Sequence, residues 1–146
     1  FPLCTLITPN LHEASLLCGH TIADTVEMQQ AARELSRKYH TDVLVKGGHL
    51  QGDDMCDVLH CTPASAETDA HPQDCTLYSY PKIESRNLHG TGCTLSSAIA
   101  TLLARGNKPD EAVRQAKTYI GTAINHGKEM NIGHGNGPLW HFPLPE

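Results

Sequence analysis

The sequence predicts an α/β fold, and three observations carry the prediction. An amphipathic stretch over residues 24–39 runs straight into the β-branched run "DVLVK" at 42–46. Two more helical stretches follow the last strand-like segment, "TLYSYPKI". The whole order reads strand–helix–helix–strand–hairpin–strand–helix–helix, which alternates as sheets covered by helices do. With 146 residues the chain can bury one ordinary core, so one domain over 1–146 is expected.

Each element has a local cause. "LCTLIT" at the start reads as a buried strand of four to six residues, ended by Pro9 and Asn10. "LHEASLLCG" has apolar residues at helical spacing and a glycine stop at Gly19. In the helix 24–39, Asp24 or Thr25 can cap, and Met28, Ala31, Ala32, Leu35 and Tyr39 form one stripe. "DVLVK" reads as a buried parallel strand. "GGHLQGDD" is turn chemistry before "MCDVLHC", so these two strands read as a hairpin. Residues 62–75 lack periodicity and read as an exposed loop insertion. Pro81 pushes "TLYSYPKI" toward an edge.

After Gly92, residues Leu95, Ile99, Leu102 and Leu103 share a helical face that Gly106 closes. The last helix opens on Pro109, with Asp110 and Glu111 set to complement its dipole. Its packing face is Ala112, Ala116, Ile120 and Ala123. The tail "GHGNGPLWHF" is glycine-rich and irregular. The opening strand has no partner before it: it is a sheet edge, or the chain is the later part of a larger domain.

Composition narrows the function. Apolar residues make up 39% and charged residues 18%, with no long apolar run to span a membrane. The net charge of −5 and the scatter of eleven basic residues argue against a nucleic-acid surface. They leave a phosphorylated ligand open, because helix N-termini and metal ions hold phosphate in acidic proteins. The six cysteines form no CxxC pair, which points to free thiols in a reducing cytoplasm. Ten histidines contain no HxxxH or HExxH pair, so spacing gives no zinc signature.

Three segments bear chemistry, and each has two readings. Gly90-Thr91-Gly92-Cys93 lies at a helix mouth. The glycines let backbone amides converge on an anion, and the first turn favours a thiolate. The alternative is a tight loop-to-helix turn with a buried cysteine. A phosphatase loop is excluded, because Cys-x5-Arg needs arginine where Ile99 stands. Asn10 and Glu13 follow a strand, at the end of a sheet where α/β sites assemble. They offer oxygens to Mg²⁺ or its waters, or they are simply a capping box. Lys46, before Gly47 and Gly48, reaches a nucleotide phosphate or is a plain strand-end lysine.

Together, "TPNLHEA", "VLVKGGH" and "NLHGTGCTLSSAIA" resemble the hydroxymethylpyrimidine/phosphomethylpyrimidine kinases of thiamine biosynthesis, members of the ribokinase-like superfamily. The resemblance covers nearly the whole chain and is weakest over 62–75. It implies a ribokinase-like three-layer α/β/α sandwich, of which this chain is the C-terminal portion. It implies Cys93 as catalytic base and Gly90, Thr91 and Gly92 as the anion hole. Asn10 and Glu13 would organise Mg²⁺ and the ATP phosphates, Lys46 would contact those phosphates, and Gly121 would lie near the adenine. The cofactors are then ATP and Mg²⁺, the partners a small pyrimidine and, in a full-length enzyme, a second copy in a homodimer. The chain alone is expected to be weak or inactive. Two rivals remain: a pyridoxal kinase of the same cysteine-bearing branch, and a nucleotide-binding half-domain that catalyses nothing.

Overall fold

The computed structural model describes residues 1, 3–48, 54–62 and 75–142. Residues 49–53 of the expected turn, with His49, and residues 63–74 of the expected insertion lie outside them. The chain divides into two compact units, Phe1–Lys82 and Ile83–Glu146.

The first unit carries a four-stranded mixed sheet among the described residues, in the order β1-β2-β3-β4. Its strands are β1 (Leu6–Ile7), β2 (Asp42–Lys46), β3 (Asp54–His60) and β4 (Thr76–Pro81). β1 and β2 are parallel, with Ile7 opposite Val43. β2 and β3 are antiparallel, as the hairpin reading expects, with Val45 opposite Val58 and Lys46 opposite Asp57. β4 pairs antiparallel to β3 and lies at the edge of the sheet, as Pro81 suggests.

β1 is shorter than the expected four to six residues. Backbone bonds to β2 nevertheless bracket it: Thr5 O accepts from Asp42 N and Pro9 O accepts from Lys46 N. Pro9 has no amide to continue the ladder, and Asn10 already turns into a helix.

Two helices, α1 (Leu11–Cys18) and α2 (Thr25–Tyr39), connect β1 to β2. Asp24 is the cap of α2, and its carboxylate accepts from Glu27 N at 2.8 Å. The predicted stripe goes into the core: Met28, Ala31, Ala32 and Leu35 are fully buried with Val43, Val45, Val58 and Ala14. Burying one leucine such as Leu35 contributes about 2 kcal/mol. Leu44 and Leu59, on the other face of the sheet, are buried as well, as a continuous apolar run requires.

The second unit is a helix pair, α3 (Thr91–Ala104) and α4 (Pro109–Gly127), packed against each other. Leu95 and Ile99 are buried on α3, and Leu102 and Leu103 half-buried. The expected face of α4 is buried in full, with Val113 and Ile124 added. Gly106 stands at φ 88° just beyond α3, where a left-handed residue ends the helix.

The irregular tail is anchored. Asn87, 1% exposed, donates from Nδ2 to Gly127 O at 2.6 Å and Met130 O at 2.8 Å. A Cβ on Gly137 would sit 1.9 Å from Asn87 Oδ1, so only glycine lets the tail close on this side chain. His89 N donates to Gly137 O, and Trp140 N to Ala123 O. No helix among the described residues is long and apolar enough to cross a membrane.

Candidate active site

The first unit brings three of the predicted site residues together. β1 and β2 run parallel, so their carboxyl ends share one edge, and an isolated parallel bridge joins Asn10 to Lys46 there. Asn10 caps α1: its Oδ1 accepts from Glu13 N at 2.8 Å, and Glu13 Oε2 accepts from Asn10 N at 2.8 Å. Both halves of the capping box are therefore present. Glu13 remains exposed, with one carboxylate oxygen beyond the one its cap engages.

Behind Lys46 the chain is pressed onto β3. Gly47 N donates to Cys56 O at 2.9 Å and to Asp57 Oδ1 at 3.0 Å. A Cβ on Gly47 would sit 2.0 Å from Cys56 O. This glycine is needed for close approach to the neighbouring strand. Gly48 differs, with φ 52° and open space where a Cβ would be. Asp57, 2% exposed and opposite Lys46 in register, holds the turn that follows the lysine. Sequence reasoning missed Asp57, because its role depends on strand register that no local pattern displays.

In the second unit, Gly90 is the N-cap of α3 at φ 85° and ψ 3°, with no side-chain cap. The left-handed conformation requires glycine, whereas the space beside it is open. Thr91 is tied back to Leu88 O through both its amide, at 3.3 Å, and its hydroxyl, at 2.7 Å. The first helical bond runs from Thr94 N to Gly90 O. The amides of Gly92 and Cys93 thus fall in the first turn, where a helix offers them no acceptor. Cys93 is exposed at the third helical position, not buried as the tight-turn alternative supposes. None of the six cysteines forms a disulfide.

Gly121 lies within α4, half-buried, with nothing within 4 Å of an added Cβ. It does not line the open cleft of about 460 Å³ between α3 and α4, whose walls include Thr94, Ser97, Gln115 and Tyr119.

The family model for phosphomethylpyrimidine kinase matches residues 1–140. The chain belongs to the phosphomethylpyrimidine kinase family. Among its relatives, the hydroxymethylpyrimidine/phosphomethylpyrimidine kinase of Rhizobium meliloti is 44% identical over 144 residues, 97% of this chain and 50% of that protein. The thiamine biosynthesis bifunctional protein ThiED of Geobacter sulfurreducens is 43% identical over 146 residues, 100% of this chain and 27% of that protein. The structure of the pyridoxal kinase from Staphylococcus aureus in complex with AMP-PCP matches 96% of this chain and 48% of its own, with a TM-score of 0.81 and 30% identity. That match bears out the ribokinase-like α/β class. The chain spans about half the length of the single-function phosphomethylpyrimidine kinases it matches.

Proposed function

We propose that the protein carrying this chain transfers the γ-phosphoryl group of ATP to 4-amino-5-hydroxymethyl-2-methylpyrimidine, and then to the monophosphate it has made. The observation that carries the reading is the start of α3. A glycine cap without a side-chain partner leaves first-turn amides for an anion, and an exposed cysteine stands among them. Family membership supports the substrate class, and AMP-PCP bound to a structural relative supports ATP as donor.

The chemistry follows from charge and position. Phosphoryl transfer has a loose transition state, so most of the catalysis is alignment and charge stabilisation. The Gly90–Gly92 turn would present amides to the transferring group as the P–O bond to the leaving ADP lengthens. The acceptor hydroxyl oxygen forms the new P–O bond, and its proton passes to Cys93 Sγ, the base that the family resemblance implies. In the second transfer the acceptor is a phosphate oxygen, already ionised at neutral pH, so that step has little need of a base. Lys46 would meet the ATP phosphates as a point charge.

Mg²⁺ fits the oxygens near Lys46. Glu13 is an exposed carboxylate, a hard donor suited to magnesium through water, and its cap engages only one of its oxygens. When bound, the ion would neutralise phosphate charge.

A pyridoxal kinase is the second reading, favoured by the likeness to the Staphylococcus aureus enzyme. A coupled ATP-consumption assay on the chain, with hydroxymethylpyrimidine, with pyridoxal and without acceptor, separates the two. A parallel ATP titration completes the test. Pyrimidine-dependent turnover supports the proposal, and turnover only with pyridoxal replaces it. ATP binding without turnover assigns the chain to the nucleotide half of a kinase; no ATP binding overturns the reading.

A further inference from the structure

Away from the kinase site, the end of α1 meets the middle of α2 at a group of metal-binding side chains. Cys18 is the last residue of α1, His20 follows the left-handed cap Gly19 (φ 81°), and Glu34 lies on α2. One ligand atom from each of the three lies within 4.8 Å of the other two. We propose that Cys18, His20 and Glu34 form a three-ligand site for a zinc-class divalent cation, with water completing a tetrahedron.

Donor chemistry favours this class. Thiolate, imidazole and carboxylate are the three side chains that zinc takes, and an all-oxygen magnesium or calcium site would not use sulfur. Ligands about 2.0–2.3 Å from a tetrahedral ion stand roughly 3.3–3.8 Å apart. His20 Nε2 and Glu34 Oε2 are 3.5 Å apart, already at that spacing. The longest separation in the group needs about 1 Å of closure, within reach of single side-chain rotations.

Two features outside the cluster hold it in place. His20 Nδ1 lies 3.1 Å from Thr21 O. A proton on Nδ1, given to that carbonyl, leaves the Nε2 lone pair for a metal, the usual orienting arrangement of ligating histidines. Lys38 Nζ donates to Leu17 O at 3.0 Å, which ties α2 to the end of α1 next to Cys18. The side chains of His20 and Glu34 are 50% and 47% exposed, so an ion can enter from solvent. The sequence hid this site because Glu34 is far from Cys18 and His20 in the chain, and no short spacing motif links them.

The test is titration of the chain with Co²⁺ alone, then displacement by Zn²⁺, followed by absorption. One equivalent of cobalt should give a thiolate-to-cobalt band in the near ultraviolet and tetrahedral bands in the visible, both abolished by zinc. Cys18→Ser should remove the thiolate band. His20→Ala and Glu34→Gln, at exposed positions and checked for fold by circular dichroism, should each weaken cobalt binding by more than about tenfold. Removing even an outer-shell partner costs 10–100-fold as a rule. A titration without a thiolate band overturns the site, as does a band that survives in Cys18→Ser. Unchanged affinity in both other variants has the same meaning. None of these readouts depends on kinase activity.

Discussion

Two helix N-termini in this chain carry sequence signals for phosphate and metal, and they are built in opposite ways. α1 begins on Asn10 with both arms of a capping box, so its first-turn amides are partly engaged by its own side chains. α3 begins on Gly90, left-handed and without any side-chain cap, so its first turn stays open. A capped terminus stabilises the helix it starts. An uncapped one forgoes that stabilisation and leaves donors for something from outside. The contrast supports the anion role proposed for α3 and leaves α1 with a capping box plus one exposed carboxylate.

The largest effect should come at the open end. In a form of the protein that turns over, Cys93→Ala should slow the first phosphorylation by about 100-fold or more, the usual contribution of a general base. The second phosphorylation should fall far less, because its acceptor is already ionised. Separate rates for the two substrates, with ATP affinity measured alongside, check this. Equal losses in both steps would make the thiol a packing group and remove the functional half of the contrast.

Gly90→Ala comes next. Forcing an alanine to φ 85° costs about 1–2 kcal/mol, since space is open and only the backbone objects. Denaturant unfolding should show that loss, and turnover should fall with it as the amides lose their aim. At the capped end, Asn10→Ala should cost about 1 kcal/mol, the ordinary value of an N-cap. Glu13→Gln keeps an acceptor for the Asn10 amide and removes only charge, so stability should hold while the Mg²⁺ concentration for half-maximal rate rises. An unchanged magnesium titration would leave α1 with its capping role alone.

These comparisons also show what the sequence could reveal. Helices α2, α3 and α4 were legible from periodicity and end signals, because Met28, Leu35, Leu95 and Ile120 report their faces through local spacing. The hairpin of β2 and β3 was legible for the same reason. Roles set by partners distant in the chain were not. Gly47 reads locally as a glycine that lets Lys46 approach a phosphate, and its constraint proves to be the carbonyl of Cys56. Asn87 carries no local signal of its role, which is to bind carbonyls about forty positions away. Asn10 illustrates a third case: capping box and magnesium ligand use the same residues at the same spacing, so spacing alone could not separate them. Of the candidate site, the sequence offers the candidate residues, and the structure adds the open and closed helix ends that distinguish them.

The smallest effect is one of pH, and it decides where the Asn10 and Gly90 variants should be compared. His60, buried at the end of β3, has its pKa lowered from 6.5, chiefly by burial. Arg33 and Arg37 on α2 lower it further, Asp42 on β2 opposes them, and Cys75 Sγ lies 3.8 Å from its Nδ1. A base whose folded-state pKa is depressed binds fewer protons folded than unfolded. Stability is therefore unaffected by this group well above pH 6.5, and declines as pH falls through 6.5 toward the lower folded value, where His60 must charge inside the fold. Unfolding midpoints taken stepwise from pH 8 to pH 5 should show that decline, and His60→Gln should flatten it. A slope unchanged in His60→Gln would move the cause to another group. Because His60 belongs to the unit that holds Asn10, acid leaves that unit less stability from which to measure a loss, so the two termini are best compared above pH 7.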